Sequence, residues 1–190
     1  MPTPLFPAFE KRISDAVDRI VQAQVDPWLF MSNGLELKTF DGRSISYSGI
    51  LFDGSPREVF WSGYIQPFLE DLSISELTAG VVAAKERDVD GRELLAEIQG
   101  LLLSACSKIF SRMADVDRRL RGQGFPEAIS LRNVESEIAG MSEFIDRHVH
   151  AELKMWQARP SYERWYDRNK FWVWVASIIL GMAGLAVQFL

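Results

Sequence analysis

Few side chains in this sequence could do chemistry, and their spacing argues against most of it. His148 and His150 are the two histidines. Two helical residues share a metal when they stand three or four apart; two apart, the rings point to different sides. Glu152 lies four after His148, a spacing that usually makes a surface contact rather than an acid–base pair. Cys106, close to Ser104 and Ser107, is the single cysteine, so an intrachain disulfide and a Cys-rich metal site are excluded. Its place beside an apolar helical stripe reads as that of a small packed residue. Gly122-Gln123-Gly124 has no strand before it and no basic, hydroxyl-bearing signature after it, so it is not a nucleotide loop. No Ser-His-Asp or paired-carboxylate constellation can be assembled. The sequence therefore predicts no catalytic residue, no metal and no cofactor, and a protein that is not an enzyme.

Arginines are more abundant. Arg112, Arg118, Arg119 and Arg121 crowd one stretch, with Arg132 shortly after. Cations at the end of a helix offset the partial negative charge of its unpaired carbonyls, which is the plainer reading. The sharper one makes Arg118, Arg119 and Arg121 a docking patch for an acidic partner or a phosphate.

The strongest signal lies elsewhere. Residues 171–190, FWVWVASIILGMAGLAVQFL, contain no charged side chain. At about 1.5 Å per helical residue they reach roughly 30 Å, the thickness of a bilayer's hydrocarbon core. The preceding segment, 159–170, interleaves Arg159, Arg164, Arg168 and Lys170 with Tyr162, Trp165 and Tyr166, and Trp172 and Trp174 follow. Amphipathic rings settle at headgroup level, while Lys and Arg reach toward phosphates. Arg164, Trp165, Tyr166, Arg168, Lys170, Trp172 and Trp174 are the expected interface anchors. Cations before the span and none after it place the N-terminal part in the cytoplasm, so a bacterial chain would sit in the inner membrane. The expectation is a single-pass tail anchor. A buried helix of a soluble oligomer is the competing account, since a core helix can also be apolar all round. A cleaved C-terminal lipid-anchor signal fits worse, because large aromatics and charges precede the run. The first residues, MPTPLFPAFEKR, lack the basic start and apolar stretch of a secretory leader. Within the span, Ser177, Gly181 and Gly184 form a small-residue face on which two lipid-embedded helices could pack closely.

The elements that must hold all this are mostly helical. The chain has 190 residues and a net charge of −5, and this mild acidity argues against a nucleic-acid partner. Residues 1–158 suffice for one domain with its own core. Pro2, Pro4 and Pro7 suggest a loosely ordered start. A first helix is predicted from Pro7 to Val25, with Phe9, Ile13, Ala16 and Ile20 on one face and Asp26-Pro27 ending it.

A β-hairpin is expected at about 35–52. A two-residue Asp41-Gly42 turn would set its apolar faces out of phase. A three-residue loop, Phe40-Asp41-Gly42 with Gly42 left-handed, instead pairs Leu37 with Ile45 and Leu35 with Tyr47. Such a hairpin must lie on a helix or extend a partner's sheet.

Ser55-Pro56-Arg57-Glu58 reads as a capping box opening a helix that Pro67 should bend. Ser73–Glu76 offers a second start and Asp90–Glu93 a third. Two long helices, about 91–121 and 127–158, follow as an antiparallel hairpin, turning at Gly122-Gln123-Gly124-Phe125-Pro126. The fold class is thus mainly α: a helical bundle with one small β-hairpin, a juxtamembrane segment at 159–170 and a membrane helix at 171–190.

The expected function is that of a membrane-bound adaptor, scaffold or sensor, oligomeric and working through an unidentified protein partner. The alternative is a membrane-perturbing effector, a toxin, lysis factor or defence protein whose spans gather until the bilayer leaks. One apolar helix without a polar face makes a poor water-filled pore, which favours the adaptor.

Overall fold

A computed structural model describes residues 2–27, 35–47, 61–122, 134–157, 166 and 169–178. Helix α1 (Phe6–Ile20) exists because Phe9, Ile13, Val17 and Ile20 recur at helical spacing, and all four are buried. Pro7 sits in its first turn, where a missing N–H costs nothing. The residues before it are not loose. Thr3 is buried, and its backbone N–H donates to Glu97 Oε1 at 2.7 Å while its hydroxyl donates to Glu97 Oε2. That clamp outweighs the chain-loosening tendency of the flanking prolines. At its other end α1 widens into a π-helical turn, Val21–Val25, and helical geometry persists through Pro27. The expected stop at Asp26 is overridden because the Asp26 N–H bonds to the Val21 carbonyl and its carboxylate holds Arg112 Nε at 2.7 Å.

Strands β1 (Leu35–Lys38) and β2 (Ser44–Tyr47) pair antiparallel, with Leu35 opposite Tyr47 and Leu37 opposite Ile45. Gly42 has φ +88°, a conformation that a side chain would strain. The Thr39 hydroxyl, then the Arg43 N–H, draw the Asp41 carboxyl below its usual pKa. The loop leans on a helix: the Phe40 N–H donates to the Gly63 carbonyl at 3.1 Å, and the Phe40 ring meets Tyr64 edge-on, centroids 6.1 Å apart.

A second π-helical turn, Trp61–Ile65, leads into α2 (Gln66–Arg87). Pro67 falls in the first turn of α2, directly after the π-helical turn at Trp61–Ile65, so the helical stretch is irregular in the turn that precedes the proline. No new helix begins at Ser73. Ser73 lies within α2 and donates to the Leu69 carbonyl one turn back, at 2.6 Å. Glu76, the would-be capping partner, is buried and grips Arg12 of α1 through both carboxylate oxygens. The capping box at 55–58 lies outside the described residues. Helix α2 ends at Asp88, whose left-handed backbone (φ 54°) lets its N–H bond to the Ala84 carbonyl. Two residues on, the Asp90 carboxylate accepts the Arg92 N–H at 2.8 Å and caps α3 (Gly91–Gly122).

Helix α3 is the axis of the bundle. It buries Leu94, Ile98, Leu102, Ala105, Ile109 and Met113, as the periodicity predicts, and a second stripe of Leu95, Cys106 and Phe110 besides. Its residues Gly91–Asp115 are long and apolar enough to cross a membrane by length and composition. Here they are wrapped by the other helices instead. Helix α1 runs parallel to α3, fastened by Thr3–Glu97, Asp18–Lys108 and Asp26–Arg112. Helix α2 runs antiparallel, its Trp61 ring 4.8 Å from Phe110 and its Gly80 so close to α3 that a Cβ there would stand 2.5 Å from Ile98 Cδ1. Helix α4 (Val134–Gln157) also returns antiparallel, with Asp146 accepting from Gln99 and Trp156 lying against Gly91. It buries Met141, Ile145 and Val149. Helices α2 and α4 therefore run parallel to each other, joined where Thr78 donates to Glu152 at 3.1 Å. The turn expected at 123–126 lies outside the described residues, and α4 is described from Val134 rather than from 127.

Candidate functional site

A described segment C-terminal to the bundle stands out for its exposed apolar side chains. Residues 169–178 are helical, and none of them is buried. Phe171, Trp172 and Trp174 are 65%, 67% and 63% exposed, and Tyr166 and Ile178 are exposed as well. The Phe171 and Trp172 rings touch only edge-on, centroids 5.5 Å apart. Among the described residues, five of the nine exposed large hydrophobics thus fall within thirteen residues, a concentration that water alone does not favour. Lys170 is exposed beside them. Arg164, Trp165 and Arg168 lie outside the described residues, as do Gly181 and Gly184. Ser177 is exposed, and its hydroxyl donates to the Val173 carbonyl one turn back at 2.8 Å. That bond satisfies the one hydroxyl of the described helix internally, so its surface stays apolar.

The arginine-rich end of α3 is largely bound within the protein. Arg112 Nε donates to Asp26 at 2.7 Å, and its Nη1 reaches Asp115 at 3.5 Å. Asp115 also receives Arg118 Nη1 at 2.8 Å. Arg118 and Arg119 are exposed, while the Arg121 side chain lies outside the described residues. Together these contacts form a short local ladder of charges near the helix end.

The histidines turn away from any shared task. His148 Nδ1 lies 2.9 Å from the Phe144 carbonyl and His150 Nδ1 2.8 Å from the Asp146 carbonyl, each one turn back along α4. Both contacts place the proton on Nδ1. Cys106 is buried, and that burial pushes its thiol pKa up to about 12. A neutral, enclosed thiol is a poor nucleophile. Among the described residues, no three His, Cys, Asp or Glu side chains converge on a metal position.

Among the described residues, cavities open on the bundle surface that were not legible in the sequence. One, about 200 Å³, lies between α1 and α3 over Ile13, Val17 and Ala105, with Glu10 and Lys108 on its rim. Another, about 260 Å³, lies between the start of α2 and α4. It depends on two helices about 74 residues apart running parallel, which no local pattern announces. Compared with protein-family models, with curated proteins and with solved structures, the chain matches none.

Proposed function

We propose that this chain is a membrane-anchored helical adaptor: residues 171–190 cross the bilayer, and the domain of residues 1–158 stays on the cytoplasmic side to recruit or sense a protein partner. The observation that carries the reading is the uncovered helix at 169–178. None of its described residues is buried, most are exposed, and the sequence continues apolar and uncharged to residue 190. Burying Phe171, Trp172 and Trp174 in lipid is worth roughly 1.5–3 kcal/mol for each side chain. The cations at 159–170 would face the headgroups of the cytoplasmic leaflet, with Trp172 and Trp174 at the same level. Ser177, Gly181 and Gly184 would let two such helices pair. The internally satisfied Ser177 hydroxyl gives the described part of the helix no polar face, which favours an anchor over a pore.

The test is carbonate extraction of full-length protein from lysed cells. The protein is expected in the membrane pellet, and a Val175→Arg, Ile178→Arg double variant in the supernatant. Wild-type protein that washes off with carbonate overturns the reading. Dye leakage from vesicles carrying the full chain, abolished by Gly181→Ile, would replace the adaptor with the membrane-perturbing effector.

A further inference from the structure

We propose that the outward face of α2 and α4 is the surface on which two copies of this chain pair side by side, with α2 of each copy lying over α4 of the other. This pairing rests on the adaptor reading, in which two tails share one bilayer, and adds to it the surface that joins the bundles.

Helical spacing lays out the face. On α2, Asp71, Ile74 and Val82 fall on one side, and on α4 so do Arg147 and Met155. All five are exposed. Among the described residues, Ile74, Val82 and Met155 are the exposed large hydrophobics of α1 to α4, at 45%, 48% and 58%, and all three belong to this face. The hydrogen bond from Thr78 to Glu152 joins the two rows and fixes their relative height. Because α2 and α4 run parallel, Val82 and Met155 lie level, about one turn beyond that bond. Asp71 and Arg147 lie before it, within about one turn of each other in height.

A twofold axis along the seam brings each row onto the opposite row of the other copy, so that every contact is made twice. Asp71 then faces the partner's Arg147, and Val82 the partner's Met155. Within the described residues neither Asp71 nor Arg147 makes a hydrogen bond or ion pair, so both charges are available. A strongly acidic or strongly basic partner would attract one of them and repel the other, whereas a second copy uses both. The size is also suitable. A face about 30 Å long and two helices wide offers on the order of 600 Å² per copy. A stable dimer buries about 800 Å² per partner, and confinement of two tails to one membrane makes up a modest shortfall.

The experiment uses the full chain in detergent, carrying Gly181→Ile so that pairing of the tails does not contribute, and reads its mass by sedimentation equilibrium. A dimer is expected. Val82→Glu combined with Met155→Glu should weaken it by about a hundredfold while the helical circular dichroism stays unchanged, since both side chains are exposed. Asp71→Arg should weaken it by about tenfold, and adding Arg147→Asp should restore it. Chains with Val82→Cys mixed with chains with Met155→Cys, all carrying Cys106→Ala, should form the mixed disulfide between copies. A monomer, or a dimer indifferent to the two glutamates, would overturn the pairing. So would rescue of Asp71→Arg by Lys85→Asp instead of Arg147→Asp, because the copies would then run head to tail. Protein that dimerises as expected yet leaves the membrane in carbonate would keep the interface and sink the membrane anchor, so the two readings fail separately.

Discussion

Two stretches of this chain are apolar enough to enter a bilayer, and the fold treats them in opposite ways. Residues 91–115 of α3 pack one side after another against α1, α2 and α4, and several of their polar positions bind those neighbours: Glu97 to Thr3, Gln99 to Asp146, Lys108 to Asp18. None of residues 171–178 is buried, and every large side chain described there is at least partly exposed. The lesson is that hydropathy measures what a segment avoids, not what covers it. A core helix shows its partners through periodic buried positions with polar residues fastened between them. An unpartnered apolar helix has no such seam, and only lipid or another copy can provide one.

The contrast can be broken most forcefully in α3. Leu102→Ala removes a side chain 1% exposed and should cost about 2–5 kcal/mol in urea unfolding, because the packed neighbours cannot collapse into the space. A cost near zero would mean that α3 is not the core axis. Alkaline pH sharpens the same point. Cys106 keeps its proton in the folded bundle up to about 12, against 9.0 when unfolded. Above pH 9 the unfolded state binds fewer protons, so stability should fall as pH rises, and Cys106→Ala should flatten that slope. The same burial makes Cys106 resist iodoacetamide in the native protein and react once urea opens the core. Asp90→Ala removes the cap of α3 and should cost about 1 kcal/mol, read as a lowered urea midpoint at constant slope. The smallest effect is the most telling: Trp172→Ala should leave bundle unfolding within about 0.5 kcal/mol of wild type. A large loss there would show the aromatic segment packed on the bundle and erase the contrast.

Much of the bundle was legible because its signals are local. The stripe of α1, the Asp90 cap and the extent of α3 follow from spacing and capping chemistry. The strands pair in the register that puts Leu35 opposite Tyr47, which is the one that keeps the apolar faces in phase. What could not be read depends on distant partners. Glu76 looks like half of a helix start until Arg12, 64 residues earlier, claims it. Thr3 looks loose until Glu97 binds it. Leu95 and Phe110 fall outside the single stripe that one neighbour requires, because α3 is packed on more than one side. The α2/α4 pocket is the extreme case, since it exists only once two non-consecutive helices lie parallel. The apolar run at 171–190 is the reverse, since its composition speaks plainly in the sequence alone.

The indole of Trp156 against Gly91 has a mechanical consequence. It joins the last turn of α4 to the first turn of α3, directly beside the left-handed corner at Asp88. Tension arriving from residues 159–170 would meet this contact before any other part of the core. Filling Gly91 with valine, whose Cβ would lie 2.7 Å from the ring, would open that joint while the far end of the bundle stayed shut.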